Sequence, residues 1–111
     1  MDSATAAEIH ELHTRVCKAI ADPKRLLLIN EMRDGSRSVG DLCDALGISQ
    51  SNASQHLAVL RDRGMVRAQR TGTNVYYSLT SPKIIQAVDL LLEFLAEDLA
   101  DRGARGNIVT G

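Results

Sequence analysis

The feature that most constrains the fold of this chain is a change of hydrophobic period at Gly64. Before it, apolar residues recur at the three- and four-residue spacing of helices in two segments, residues 38–46 and residues 49–63, which meet at Gly47. After it, the segments MVRAQR and NVYYSL alternate like strands around TGT, which predicts a β-hairpin. A helix, a tight turn containing glycine and a second, polar helix predict a helix-turn-helix unit, with the hairpin directly after it.

Three further helices complete the predicted fold. The first covers roughly residues 4–20, the second begins at the cap Asp22 and ends near Gly35, and the last begins at the cap Ser81 and runs to about Ala100. The expected fold class is therefore mainly α with a small β-hairpin wing. Its order is four helices, the hairpin and a fifth helix.

The last helix has more apolar surface than one small domain needs. From Ile84 to Leu99, 11 of 16 residues are apolar. Four of its five polar residues, Gln86, Asp89, Glu93 and Glu97, form a single narrow stripe. A helix on the surface of one domain needs only one apolar stripe, and this helix has about two. We therefore expect one side to pack on its own domain and the other on a partner, in a homodimer.

The net charge of −1 hides an uneven distribution along the 111 residues. Residues 49–80 carry four arginines and one acidic residue, a balance of +3, whereas residues 1–48 and residues 81–111 each carry −2. A local basic patch is a better sign of a nucleic-acid partner than the overall charge. We therefore expect the helix-turn-helix unit and the hairpin to bind double-stranded DNA.

The polar helix and the hairpin supply the residue types that read DNA. Gln bonds bidentately to adenine in the major groove, Arg binds guanine or phosphate, and Ser bonds to several bases. The predicted DNA-binding residues are Ser49, Gln50, Ser51, Ser54, Gln55, His56 and Arg61 on the helix, and Arg67, Arg70, Thr73 and Asn74 on the hairpin. Arg67 and Arg70 are expected against the DNA backbone and the hairpin tip in a minor groove. His56 has an alternative role as a packing residue between helices, and one of Tyr76 and Tyr77 is expected in the core.

Other functional classes find little support in the sequence. No apolar run approaches the roughly 20 residues that span a bilayer, no secretory signal is evident, and two cysteines are too few for a disulfide framework. We therefore expect a cytoplasmic protein, with one domain over residues 1–102 and a flexible tail over residues 103–111. There is no phosphate-binding Gly-rich loop, nucleophile elbow or paired carboxylate, so we expect no enzyme. The competing class is a winged-helix protein-interaction module that does not bind DNA.

Two segments, AIADPKRLLLI and DLCDALGISQSNASQHLAVLRDRGMVRAQRTGTNVYYSL, together with the closing amphipathic helix, resemble the ArsR/SmtB family of bacterial winged-helix repressors. The resemblance covers roughly residues 12–100 and is carried by the pattern SQxxxSQHLxxLRxxGxV, followed by the YY of the second strand. It implies a winged helix-turn-helix homodimer, formed by the first and last helices, that binds an inverted-repeat operator and represses transcription. Residues 49–61 match the family's recognition helix and residues 67–77 its wing.

Members of that family often release DNA when metal ions or oxidants bind, so the resemblance draws attention to the cysteines. Where one family metal site reads ELCxCD, this chain reads DLCDAL, so Cys43 matches the first cysteine and Ala45 replaces the second. The family's other zinc site needs histidine on the last helix. That helix has none here, and we reject that site.

Two kinds of sensor and a third alternative stay open. His10, His13 and Cys17 are spaced three and four residues apart on one face of the first helix. With Cys43 of a second protomer they could hold a Zn, Cd or As(III) ion. Cys17 and Cys43 could instead form a thiol-based redox or sulfide sensor. In the third alternative both cysteines behave as small buried hydrophobes, and the sequence contains no readable inducer site.

Overall fold

The computed structural model describes residues 1–104, which form five helices and a three-stranded antiparallel sheet. Helix α1 is continuous and consists of the segments Ser3–Glu11, Leu12–Cys17 and Lys18–Ile20. The other elements are α2 (Pro23–Glu31), β1 (Arg37–Ser38), α3 (Val39–Leu46), α4 (Gln50–Asp62), β2 (Val66–Thr71), β3 (Asn74–Leu79) and α5 (Pro82–Ala104). This order confirms the predicted, mainly α fold with a hairpin between α4 and α5.

Side-chain caps start four of the helices, two of them at the predicted caps Asp22 and Ser81. In each case a side-chain oxygen accepts a backbone N–H of the first turn, a donor that has no partner within the helix. The Asp22 carboxylate accepts two such N–H groups, at 2.8 and 3.3 Å. Ser38, Ser49 and Ser81 make equivalent bonds of 3.0, 3.1 and 3.1 Å. Local sequence chemistry therefore fixes where α2, α3, α4 and α5 begin.

Helix α1 departs from the regular α-helix expected for residues 4–20. Its central segment, Leu12–Cys17, is π-helical, and the N–H of Lys18 donates to the carbonyl of His13, five residues back. In an α-helix that N–H would bond to the carbonyl of Thr14. The change of period alters which side chains share a face of α1. His13 and Cys17 lie in this π-helical segment and His10 lies before it, so the three predicted ligands do not follow one regular α-helical spacing.

Strand β1 lies outside the predicted elements. It has two residues, which is too short to show alternation in the sequence. Arg37 pairs with Tyr77 and Ser38 with Tyr76, so β1 forms one edge of a sheet with the order β1-β3-β2. Ser38 is both the last residue of β1 and the cap of α3, so this pairing also fixes where α3 starts.

The core lies between α2, α3, α4 and the base of the hairpin. Its largest fully buried side chains are Leu28, Ile29, Met32, Leu42, Leu57 and Leu60. Ala53, Leu57 and Leu60 have no exposed surface, and their spacing of three and four residues places them on one side of α4. Tyr77 packs against this core, whereas Tyr76 lies on the opposite face of β3. This confirms the expectation that one of the two tyrosines is internal.

Helix α5 is longer than predicted and largely uncovered. It runs to Ala104 and so includes the first two residues of the predicted tail, while residues 105–111 lie outside the described residues. An ion pair of 2.9 Å between Arg33 Nη2 and Asp89 Oδ1 ties α5 to the turn after α2. Six large apolar side chains along α5 are between 49% and 65% exposed, namely Leu90, Leu91, Leu92, Phe94, Leu95 and Leu99. No helix within residues 1–104 is long and apolar enough to cross a membrane.

Candidate nucleic-acid interface

The turn between α3 and α4 sets the direction of the polar helix. Gly47 has a φ of +66°, a left-handed conformation that glycine adopts at little cost. The N–H groups of Gly47 and Ile48 both donate to the carbonyl of Cys43, at 2.8 and 3.2 Å. With this turn fixed, Leu42 of α3 and Leu57 of α4 are both fully buried, so the opposite side of α4 faces outward.

The outward side of α4 carries most of the predicted base-reading residues. Gln50, Ser51, Ser54, Gln55 and, near the end of the helix, Arg61 are all exposed. The Oγ of the cap Ser49 accepts the N–H of Asn52 at 3.1 Å, which leaves the Ser49 hydroxyl proton free to donate. Recognition helices contact base edges with their N-terminal residues. The first two turns of α4 therefore have the shape and the chemistry for a major groove.

His56 is oriented differently from these residues. It is half-buried, and its Nδ1 lies 3.4 Å from Nη1 of Arg25 on α2. The same guanidinium donates from Nε to the carbonyl of Ala19 and from Nη2 to that of Lys18, so it joins α1, α2 and α4. These contacts favour the alternative role of His56 as a packing residue. The sequence already indicates this packing role, because residues 53, 56, 57 and 60 are spaced three and four apart and so share one helix face.

Three of the four arginines between positions 61 and 70 carry charge that no other described residue neutralises. The side chains of Arg61, Arg67 and Arg70 are exposed and make no hydrogen bond or ion pair within residues 1–104. Arg63 differs, because its Nη1 donates to the carbonyl of Thr14 at 2.6 Å and its Nε lies 3.8 Å from Asp62. The three free guanidinium groups are the ones available to phosphate.

The wing presents Arg67 and Arg70, both predicted to lie against the DNA backbone, on opposite faces. Arg67 pairs with Ser78 and Arg70 with Val75. Positions an odd number of residues apart on a strand point to opposite faces, so one face cannot hold both side chains. Arg70 is one pair from the turn at the tip and Arg67 is four pairs from it. Thr73 and Asn74 form that exposed tip, with Gly72 at a φ of +64°.

The four predicted sensing residues do not form one group within a protomer. His10, His13 and Cys17 are exposed on α1, whereas Cys43 is half-buried on α3 and packs against the core. Over the described ranges of the chain, no three or more His, Cys, Asp or Glu side chains are arranged to hold a metal ion. The packing of Cys43 fits the reading of that residue as a small hydrophobe. A site between two protomers stays a prediction.

Comparisons with known proteins agree on one family. The family model described as "bacterial regulatory protein, arsR family" matches residues 22–68. The transcriptional regulator NmtR of Mycobacterium tuberculosis is 35% identical over 92% of this chain and 84% of its own. A probable mercury resistance operon repressor of Streptomyces lividans is 36% identical over 88% of this chain and 81% of its own. A homodimeric winged helix-turn-helix DNA-binding domain from Mycobacterium bovis, solved by NMR, superimposes with a TM-score of 0.77 at 29% identity, covering 89% of this chain and 91% of that one. The named relatives are regulators of transcription, not enzymes.

Proposed function

Because this chain belongs to the arsR family of bacterial regulatory proteins, we propose that it is a homodimeric, sequence-specific DNA-binding repressor of transcription. The observation that carries the proposal is the surface of α4 and the wing. There, α4 presents an outward row of Gln and Ser side chains, and the guanidinium groups of Arg61, Arg67 and Arg70 are exposed without partners in the described part of the chain. Such a surface combines base reading with phosphate binding.

In this proposal α4 enters the major groove by its first two turns. The amides of Gln50 and Gln55 bond to adenine edges, and the hydroxyls of Ser51 and Ser54 bond to bases or phosphate. The free N–H groups at the start of α4 attract a phosphate, because a helix N-terminus is a site for anions. The wing tip, Thr73 and Asn74, lies in the adjacent minor groove, and Arg70 binds the backbone beside it.

The exposed apolar face of α5 supports the homodimer. A partner helix would remove the six exposed apolar side chains of α5 from water, and burial stabilises by about 25 cal/mol for each Å² of apolar surface. Ile9 and Leu12 add exposed apolar surface on α1, at 47% and 51%. A two-fold dimer presents two copies of α4, so its preferred operator is an inverted repeat. A DNA partner also sets the proposed site of action in the bacterial cytoplasm.

The proposed repressor is tested by fluorescence anisotropy of the reduced, metal-free protein on duplex DNA from upstream of its own gene. We expect tight binding that falls steeply with salt, because each phosphate contact releases counterions, and weaker binding to a scrambled duplex. Absence of binding to every duplex would instead favour the protein-interaction module. A reporter fused to the same upstream DNA should be less active when the protein is expressed, and a rise would contradict repression.

The inducer is addressed by repeating the titration with zinc, cadmium, arsenite or a persulfide donor. Release of DNA by one of them identifies a sensor. Loss of that response in Cys17→Ser and in Cys43→Ser would then support a site shared between protomers. Binding that none of them changes favours the alternative without a thiol or metal inducer.

A further inference from the structure

Two arginines join the helix expected at the dimer interface to the end of the recognition helix. Arg15 Nη2 on α1 donates to the carbonyl of Arg63 at 3.2 Å, and Arg63 Nη1 donates back to the carbonyl of Thr14 at 2.6 Å. We call this pair of contacts, made by Arg15, Thr14 and Arg63, the arginine clasp. Both bonds have a charged donor, which makes them stronger than neutral hydrogen bonds.

The π-helical segment of α1 supplies one acceptor of the clasp. Because the N–H of Lys18 bonds to His13, the carbonyl of Thr14 lacks the donor that an α-helix would give it. That carbonyl accepts the Arg63 guanidinium instead. Gly64 makes room on the other side, since a Cβ there would lie 3.0 Å from Arg15 Nη2. The π-helical segment therefore provides an acceptor for the clasp, and Gly64 provides space for it.

Apolar packing within the protomer does little to fix the direction of α1. No residue of the segments Ser3–Glu11 and Leu12–Cys17 is buried, and Val16 alone among them packs against the core from a half-buried position. The clasp is the polar contact that ties this part of α1 to α4. Glu11 and Asp62 lie 3.4 and 3.8 Å from the two guanidinium groups, so the clasp has little net charge to offer a phosphate.

We propose that Arg15 and Arg63 are positioning residues, which fix the angle between α1 and α4 and thereby the separation of the two recognition helices in the dimer. This inference rests on the proposed function, a dimer bound to two half-sites. Half-site spacing on DNA follows from the distance between recognition helices, about one helical turn or a multiple of it. A rigid clasp makes the dimer selective for one spacing, and a broken clasp lets it accept several.

The test measures the affinity of wild type, Arg15→Ala and Arg63→Ala for a series of duplexes. These are derived from a duplex selected by the wild type out of a random pool, with the half-sites moved apart or together in single base-pair steps. We expect the wild type to lose about tenfold or more in affinity per step, because the DNA or the protein must deform. The two variants should lose about threefold or less per step, with an unchanged salt slope at the best spacing. Arg70→Ala is the comparator and should lower the salt slope without broadening the spacing profile.

Circular dichroism and sedimentation establish that each variant is folded and dimeric. If an alanine variant is not, Arg15→Lys replaces it, because lysine keeps the charge but not the planar fork, and the same broadening is expected. A fall in salt slope with a sharp spacing profile would overturn the inference by making Arg63 a phosphate contact. Profiles identical to wild type in folded variants would also overturn it. If the wild type binds no duplex, the proposed function fails, which is distinct from the inference failing alone.

Discussion

Nη1 of Arg25 on α2 lies 3.4 Å from Nδ1 of His56 on α4. Arginine can only donate, so a hydrogen bond at this contact has Nδ1 of His56 as its acceptor. The contact turns a residue in the middle of α4 toward α2 and away from the exposed side of the helix. His56 therefore faces a different direction from its neighbour Gln55, which is exposed.

We predict that His56→Ala lowers the free energy of unfolding by about 1 kcal/mol, because it removes a half-buried hydrogen-bond acceptor. Its preference among operator bases should stay close to wild type. Gln55→Ala is the matched variant and should do the reverse, losing about 1–3 kcal/mol of discrimination at one base pair with unchanged stability. Urea unfolding and anisotropy on single-base operator variants measure the two effects. Loss of base discrimination in His56→Ala would show that His56 reads DNA.

The wing predicts unequal roles for its two arginines. Arg67 lies three residues nearer the base of the hairpin than Arg70, about 10 Å along the strand, and points to the other face. Arg70→Ala should weaken binding to all sequences and lower the magnitude of the salt slope by about 0.9 per lost contact, or roughly 1.8 per dimer. Arg67→Ala should change the slope less. Anisotropy over a range of salt concentrations measures both variants, and a larger effect from Arg67 would contradict the assigned orientation of the wing.

Because the exposed apolar face of α5 is the proposed dimer interface, we predict that a charged substitution in it weakens the dimer. Phe94 is 63% exposed in the single chain. Phe94→Glu should raise the Kd of the dimer by at least about thirtyfold, equivalent to about 2 kcal/mol. Glu93→Gln, on the polar stripe beside it, is the control and should leave the dimer intact. Sedimentation velocity over a dilution series distinguishes them, and a dimer that tolerates Phe94→Glu would place the interface elsewhere.

We predict that any side chain at Gly64 lowers the stability of the fold. Its φ is +76°, and a Cβ would lie 3.0 Å from the Arg15 guanidinium. Gly64→Ala should therefore cost about 1–2 kcal/mol of stability from the backbone conformation alone. Gly40→Ala is the control, because Gly40 lies in α3 with only Ser38 Oγ within 4 Å, at 3.9 Å. That variant should be neutral or stabilising in thermal unfolding. Equal stability of the two variants would contradict the account of the turn.

We predict that Asp22, the cap of α2, makes the stability of the protein fall at acid pH. Partial burial acts to raise the pKa of Asp22, but hydrogen bonds from the backbone N–H groups of Arg25 and Lys24, together with nearby positive charge, outweigh it, so the pKa is lowered overall. A lowered pKa in the folded state adds stability at neutral pH, and that stability is lost as the pH falls below about 4. Asp22→Asn keeps a capping oxygen but does not titrate. Its Tm should therefore depend less on pH in this range than that of wild type, and parallel curves would refute this assignment.

Much of the fold could be predicted because its signals are local. Asp22, Ser49 and Ser81 cap their helices through N–H groups two or three residues away, and Gly47 alone ends α3. The buried side of α4 could be predicted from the spacing of its apolar residues, which is also a local signal. The sequence also predicts that Arg67 and Arg70 point to opposite faces of the strand, because two side chains of a strand share a face only when their separation is even.

The remaining features depend on partners distant in the sequence. The π-helical segment of α1 is matched to Arg63, which reaches Thr14 across 49 residues. Strand β1 exists only because β3 pairs with it. No spacing rule connects Arg15 to the end of α4, so the clasp has no signal in one sequence. The same limit applies to the sensing residues, whose grouping would depend on a second protomer.

The central claim is that a two-fold dimer presents two copies of α4 and the wing to DNA. Hydroxyl-radical footprinting of the wild-type protein on a selected duplex tests it most directly. We predict two protected patches related by two-fold symmetry, with centres about 10 base pairs or a multiple of that apart. A single patch without symmetry, or no protection at concentrations that saturate binding, would contradict the account.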